Sequence, residues 1–330
     1  MIKMIIASSR KKCPFYHTDD PPFVSLADYR NNYFTSDDPY KIIEFYNGFE
    51  NRDQLIQWMK ERPKGVANIH EVDGDRDIIV VIPTADFNGK YAKECRENIF
   101  KGLHIVFVES GEIPDPYFNG AHNVNIGIKK AMEYNPKWVV FSNDDMIKMD
   151  SVNILKDQLM VLDNKEYDVV FTKPSNYHSS WMKISRRNSF YNIYYSIANK
   201  QYSRFSIGTF EKFRIKYFMS PITGKFSKLF KIGYEYLEIQ DFGIYSSRWI
   251  SENGEQVYDE TFINGAEDTD LSLKFSFNKE RIAIIDYKIG DLIGSTIKNG
   301  SERALRSIAG MTYLNYKWTL TLDRVEKEND

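Results

Sequence analysis

The sequence predicts an α/β fold with a mainly parallel central sheet flanked by helices. Three observations carry that prediction. Continuous apolar runs of strand length recur through the middle of the chain, as expected of strands covered on both faces. Stretches of helical periodicity separate them, which argues for crossover connections rather than hairpins. Each early run ends in polar residues, where ligands bind in open parallel sheets. A chain of 330 residues with 42% hydrophobic content has ample material for such a core.

Taken in order, residues 1–75 read as an accessory segment. A short apolar start and a Pro/Asp-rich loop, HTDDPPF, precede two helices. DPYKIIEFYNGF has a cap-like Asp38 before Pro39, and NRDQLIQWMKERP starts at a cap-like Asn51 and stops before Pro63. From Asp77 strands and helices alternate: DIIVVIPT, a helix around YAKECRENIF, LHIVFVES, a helix in NVNIGIKKAMEYN, KWVVFS, a helix in SVNILKDQLMVLD, and YDVVFTKP. Residues 176–240 are rich in Tyr, Phe, Lys and Arg, with few acids. DFGIYSSRW then reads as a returning strand, and VYDETFINGAEDTDLSLKFSF as a loop that becomes a helix. A strand, RIAIIDY, a loop, KIGDLIGSTIKNG, and a helix from SERALRSIAG close the chain.

A net charge of −2 and a pI near 6.3 give no whole-chain attraction for nucleic acid, so none is expected as a partner. Cys13 and Cys95 have no metal-ligand spacing and form no disulfide framework, and no apolar run is long enough to span a bilayer. A cytoplasmic location follows as the expectation.

In WVVFSNDDM, an apolar strand stops at two adjacent carboxylates, Asp144 and Asp145. Crowding them is costly unless a cation sits beside them, and oxygen ligands at a strand end suit Mg²⁺ or Mn²⁺. The alternative is a solvated strand-to-helix turn with one acid as a cap. A second acidic cluster, Glu267, Asp268 and Asp270, follows a glycine and precedes an apolar helix. Helix capping accounts for Asp270. One of the adjacent pair, Glu267 or Asp268, suits a general base.

Together these motifs resemble an inverting glycosyltransferase of family 2 type with the GT-A (Rossmann-like) fold, over about three quarters of the chain from Asp77. VVIPTAD resembles the first strand and its nucleotide-contacting end, which puts Pro83, Thr84 and Asp86 at the donor. VFVESGE resembles the second strand, with Glu109 at the base. NVNIGIKKA resembles the helix start beneath the nucleotide, with Asn123 and Gly127. FSNDDM resembles the DXD motif, and VYDETFINGAEDTDLSLKF the acceptor block.

The resemblance implies that Asp145 ligates the metal and that Asn143, with Asp144, faces the donor, although Asn143 stands where the family has Asp. Asp144 is also read as a metal ligand, because an amide at 143 supplies no charge. Asp268 matches the catalytic base and Glu267 its neighbour. Where the family often has a late histidine ligand, this chain has Asp291. The implied organisation is a nucleotide-sugar-binding half over 76–175 and an acceptor-binding half over 176–330, with an insertion at about 176–240 and a C-terminal helix. The implied cofactor is Mn²⁺ or Mg²⁺. The implied donor is a nucleotide-diphosphate sugar, UDP-sugar favoured, and the acceptor a glycan, lipid-linked or protein hydroxyl.

The basic aromatic insertion suits an anionic membrane surface or a phosphate-linked lipid, and equally a lid packed on the core. Two other readings remain open: a protein that binds a nucleotide sugar or glycan without activity, and a nucleotidyltransferase. The second would need a Gly-rich phosphate loop after the first strand, where TADFNGKY has one glycine.

Overall fold

The computed structural model describes residues 26–111, 115–174, 178–185, 218–221, 234–292 and 301–329. Three helices come first: α1 (Leu26–Phe34), α2 (Pro39–Asn47) and α3 (Arg52–Glu61). The expected caps are in place. The Asp38 side chain accepts from Tyr40 N, with Pro39 opening α2, and Asn51 accepts from the amides of Asp53 and Gln54.

The central sheet is built from β1 (Ala67–Val72), β2 (Asp75–Thr84), β3 (Leu103–Ser110), β4 (Trp138–Ser142), β6 (Val169–Thr172), β10 (Phe242–Ser246) and β11 (Ile282–Ile285). Its order is β1-β3-β2-β4-β10-β6-β11. The sheet is mostly parallel; only β1 at one edge and β10, between β4 and β6, run the other way.

Alternate residues of the central strands feed opposite faces, as a two-residue side-chain period requires. Ile78, Val80 and Ile82 pack with Trp138, Val140, Leu155 and Leu159. This face carries α4 (Lys90–Glu94), continued by a π-helical turn over Cys95–Ile99, and α6 (Val152–Met160). Ile79 and Val81 pack the other way, against Val124 and Ile128 of α5 (Gly120–Met132), Trp249 of α7 (Ser247–Glu252) and Phe275 of α8 (Glu267–Asn278).

A third apolar cluster joins the two ends of the chain. Ile42, Phe45, Leu55 and Trp58 pack with Met182 of β7 (Ser179–Ser185), Tyr236 of β9 (Tyr234–Ile239) and Leu305 and Leu314 of α9 (Ser301–Asn329). The Tyr46 hydroxyl donates to Leu305 O at 2.7 Å and accepts from Ala309 N at 3.1 Å. β7 and β9 form a three-stranded sheet with β8 (Phe218–Pro221). A two-stranded ribbon pairs β5 (Met146–Lys148) with β12 (Ile289–Asp291).

Three expectations change. The segment over 1–75 is not purely accessory: β1 lies inside it as an edge strand of the main sheet, and its helices share a core with α9. The acids Asp144 and Asp145 do not lead into a helix, because β5 follows them at once. Asp270 does not cap α8: it is buried and accepts from Trp318 Nε1 at 2.7 Å and Lys317 Nζ at 2.8 Å, so it pins α9. The Lys/Arg/aromatic surface expected over 176–240 lies for the most part outside the described residues. No described helix is long and apolar enough to cross a membrane.

Candidate metal centre

The carboxyl ends of the parallel strands gather side chains from four parts of the chain. β4 ends in Ser142 and delivers Asn143, Asp144 and Asp145. Because β10 is antiparallel, its start lies at the same end, so Asp241 arrives beside them; Asn143 N donates to Asp241 O at 3.1 Å. The ribbon brings Asp291 opposite Met146, and Leu292 N donates to Asp145 O at 2.9 Å. His178 precedes β7 and is held by Gln240 N, which donates to its carbonyl at 3.0 Å.

His178, Asp241 and Asp291 each offer one ligand atom, and these atoms lie within 4.8 Å of one another. The triad can hold a metal ion. Its donor set fits: two carboxylates suit a hard cation, and the imidazole extends the range from Mg²⁺ towards Mn²⁺ and borderline first-row ions. The electrostatics fit as well. Burial, then the neighbouring Asp291 and Asp145, push the Asp241 carboxyl up to about 7, against the hydrogen bond from Asn143. Asp291 Oδ1 is buried with no hydrogen-bond partner. Burial also lowers the His178 pKa, which favours the neutral imidazole that a metal needs. A hydrogen bond of 2.7 Å joins His178 Nε2 to Ile289 O; with Nε2 as the donor, the ring lone pair resides on Nδ1.

Of the expected metal ligands, Asp291 is therefore in the triad, while Asp144 and Asp145 lie outside it. Asp145 abuts the triad through its carbonyl and through its charge on Asp241. Asp144 turns to the end of β2, where its Oδ2 accepts from Thr84 Oγ1 at 2.7 Å. Burial pushes its carboxyl up to about 6, opposed by the Thr84 bond and aided by Asp145. Asn143 is half-buried, and its Nδ2 donates to Asp241 Oδ1 at 2.7 Å.

Glu267 and Asp268 form the first turn of α8, entered through Ala266 in the left-handed region at φ 70°. Ser272 ties this turn to the triad side, since its hydroxyl donates to Asp268 O at 2.7 Å and accepts from Ile239 N at 3.0 Å. Burial raises the Asp268 pKa well above the carboxylate range; Glu267, Asp241 and Glu238 add to it, and Arg303 opposes it. Burial raises Glu267 too, and its Oε2 is buried without a partner. Glu238, 5% exposed, accepts from Thr269 Oγ1 at 2.9 Å and from the Tyr236 hydroxyl at 3.1 Å.

Several residues expected at a donor nucleotide also make contacts within the protein. Both Glu109 oxygens are taken: Oε1 accepts from Phe87 N at 2.8 Å, and Oε2 lies 2.9 Å from His70 Nε2. The Phe87 bond, with His70 behind it, lowers the Glu109 pKa. Asp86 accepts from Asn88 N at 2.9 Å to close the turn after β2, and Pro83 sits opposite Val108 in the sheet. Gly127 is a packing glycine, because a Cβ there would lie 2.4 Å from Val81 Cγ1. Asn123 is buried with Nδ2 unpartnered.

The residue that anchors the NVNIG stretch is Asn125, which sequence reasoning passed over. Its amide donates to Tyr258 O and Glu260 Oε1, and its carbonyl accepts from Val257 N and Tyr258 N. Glu260 also pairs with His122, while Asp259 pairs with Lys317, so the Asp-Glu pair before α8 fastens the loop to α5 and α9. His178 and Asp241 were missed as well. Asp241 stands just before a returning apolar strand, a signal that was there to be used; His178 has no local motif. No family model matches the chain, and no curated protein matches it in sequence.

Proposed function

We propose that this protein is a metal-dependent inverting glycosyltransferase of GT-A type, which moves a sugar from a nucleotide-diphosphate sugar to an acceptor hydroxyl. The observation that carries the reading is the His178-Asp241-Asp291 triad at the carboxyl ends of the parallel strands, with the half-buried Asp268 near enough to feel the charge of Asp241. His178, Asp241 and Asp291 would hold the cation, with Asp145 beside them. When bound, a divalent cation supplies positive charge for the diphosphate leaving group.

The chain's own groups do the rest. Burial and three neighbouring acids raise the Asp268 carboxyl, and a cation held by the triad would favour the ionised form that a base needs. It takes the hydroxyl proton as the acceptor oxygen bonds to the anomeric carbon. The bond from that carbon to the diphosphate oxygen breaks on the opposite face, so the anomeric configuration inverts. Ser272 holds the Asp268 turn, and Asn143 holds Asp241.

The test measures nucleotide release from a panel of nucleotide sugars, UDP-sugars first, with Mn²⁺ present. Asp268→Asn should lower turnover about 10²–10⁴-fold with donor binding retained. Near-normal turnover in that variant would remove Asp268 as base. Donor binding without any turnover in the wild type would favour a binding protein over an enzyme.

A further inference from the structure

We infer that Asn143 is a positioning residue for the metal triad: its side-chain amide orients the Asp241 carboxylate so that the second oxygen turns to His178 and Asp291. The inference rests on the metal reading above. The Nδ2-to-Oδ1 bond is 2.7 Å long, and Asn143 is fixed from its other side by the backbone bond from its own N to Asp241 O at 3.1 Å. This two-point clamp joins the end of β4 to the start of β10.

The residue type follows from the surroundings. Asp144, Asp145, Asp241 and Asp291 already crowd this end of the sheet, and a carboxylate at 143 could accept but not donate to Asp241. An amide donates one hydrogen bond and adds no charge. Asn143 is thus matched to a metal centre whose ligands come from β10, β12 and the approach to β7 rather than from the acidic run that follows β4. Hydrogen-bonded partners of ligating carboxylates are worth about 10–100-fold in metal affinity when removed.

The experiment is Mn²⁺ titration of the full chain by calorimetry and by the loss of free-ion electron paramagnetic resonance signal. It compares the wild type with Asn143→Leu, close in shape but without a donor, and Asn143→Ser, a smaller change should Leu fail to fold. The backbone bond survives in both. Asp168→Asn, at the far end of the sheet, serves as a folding control.

A dissociation constant raised tenfold or more in the Asn143 variants, with the wild-type value kept in Asp168→Asn, is the expected result. Affinity within twofold of wild type in a folded Asn143 variant overturns the positioning role and leaves the triad standing. Absence of Mn²⁺ binding in the wild type overturns the metal centre and this inference with it.

Discussion

Replacing Gly310 by alanine should damage the site from behind. Gly310 lies on α9 where that helix presses on the turn into α8, and a Cβ there would sit 2.1 Å from Gly265 O. Ordinary contact starts near 3.4 Å, so about 1.3 Å must be found. The obstructing atom is backbone and cannot swing aside. The turn itself has little freedom, since Asn264 and Ala266 both have positive φ and Asn264 Oδ1 accepts from Gly120 N at 2.8 Å. Overpacking of this kind costs ~1–3 kcal/mol, and the upper end applies against backbone. Alanine gains ~1 kcal/mol over glycine within a helix, which leaves a net loss of ~2 kcal/mol.

The larger effect falls on Glu267 and Asp268, which the displaced turn carries. A shift of about 1 Å in a reacting group can cost ~100-fold in rate. Denaturant unfolding reads the first quantity, and nucleotide release from the donor reads the second. Equal or higher stability together with unchanged turnover would refute the close-approach argument.

Gly127→Ala meets side chains rather than backbone, Val81 Cγ1 at 2.4 Å and Val108 Cγ2 at 2.8 Å, so a net loss of ~1 kcal/mol is expected with Mn²⁺ affinity unchanged; weakened metal binding would contradict a pure packing role. Asp168, 4% exposed, offers a pH test. Burial alone would raise its pKa, yet the Arg281 side chain and amide, then Arg248, carry it down to about 2 from 3.8. A depressed carboxyl contributes fully above its unfolded pKa, so roughly 2 kcal/mol should be present at pH 5 and lost as the pH falls from about 4 to 2. In Asp168→Asn that part of the slope should vanish from unfolding curves measured over the same range; parallel slopes would sink the assignment.

What was legible in the sequence was local. Apolar runs gave β2, β3, β4 and β6, and Asp38 and Asn51 gave the starts of two helices, because a strand's period and a cap's hydrogen bond are written within a few residues. Asp291 was also found, though only by its place in the closing loop. The rest depends on partners far along the chain. β5 and β12 are three residues each and pair across a long separation, so neither carries a period of its own. Asp241 belongs to the centre because β10 runs antiparallel between β4 and β6; DFGIYSSRW reads as a returning strand, but its place in the sheet order is set by strands far along the chain. His178 enters through an extension of β7 with no flanking pattern. What Glu109 and Gly127 touch within the fold was hidden for the same reason, since Phe87, His70 and the valines of the sheet meet them only once the strands are assembled.

The shared core of the first three helices and α9 has a consequence for a chain being made on a ribosome. Tyr46 and Leu305 are 259 positions apart. At ~5–20 residues per second, the apolar faces bearing Ile42, Phe45 and Trp58 wait on the order of 13–50 s for their partner. A nascent or prematurely terminated chain therefore presents a sticky N-terminal surface, which invites a holding chaperone early and proteolysis if α9 never emerges.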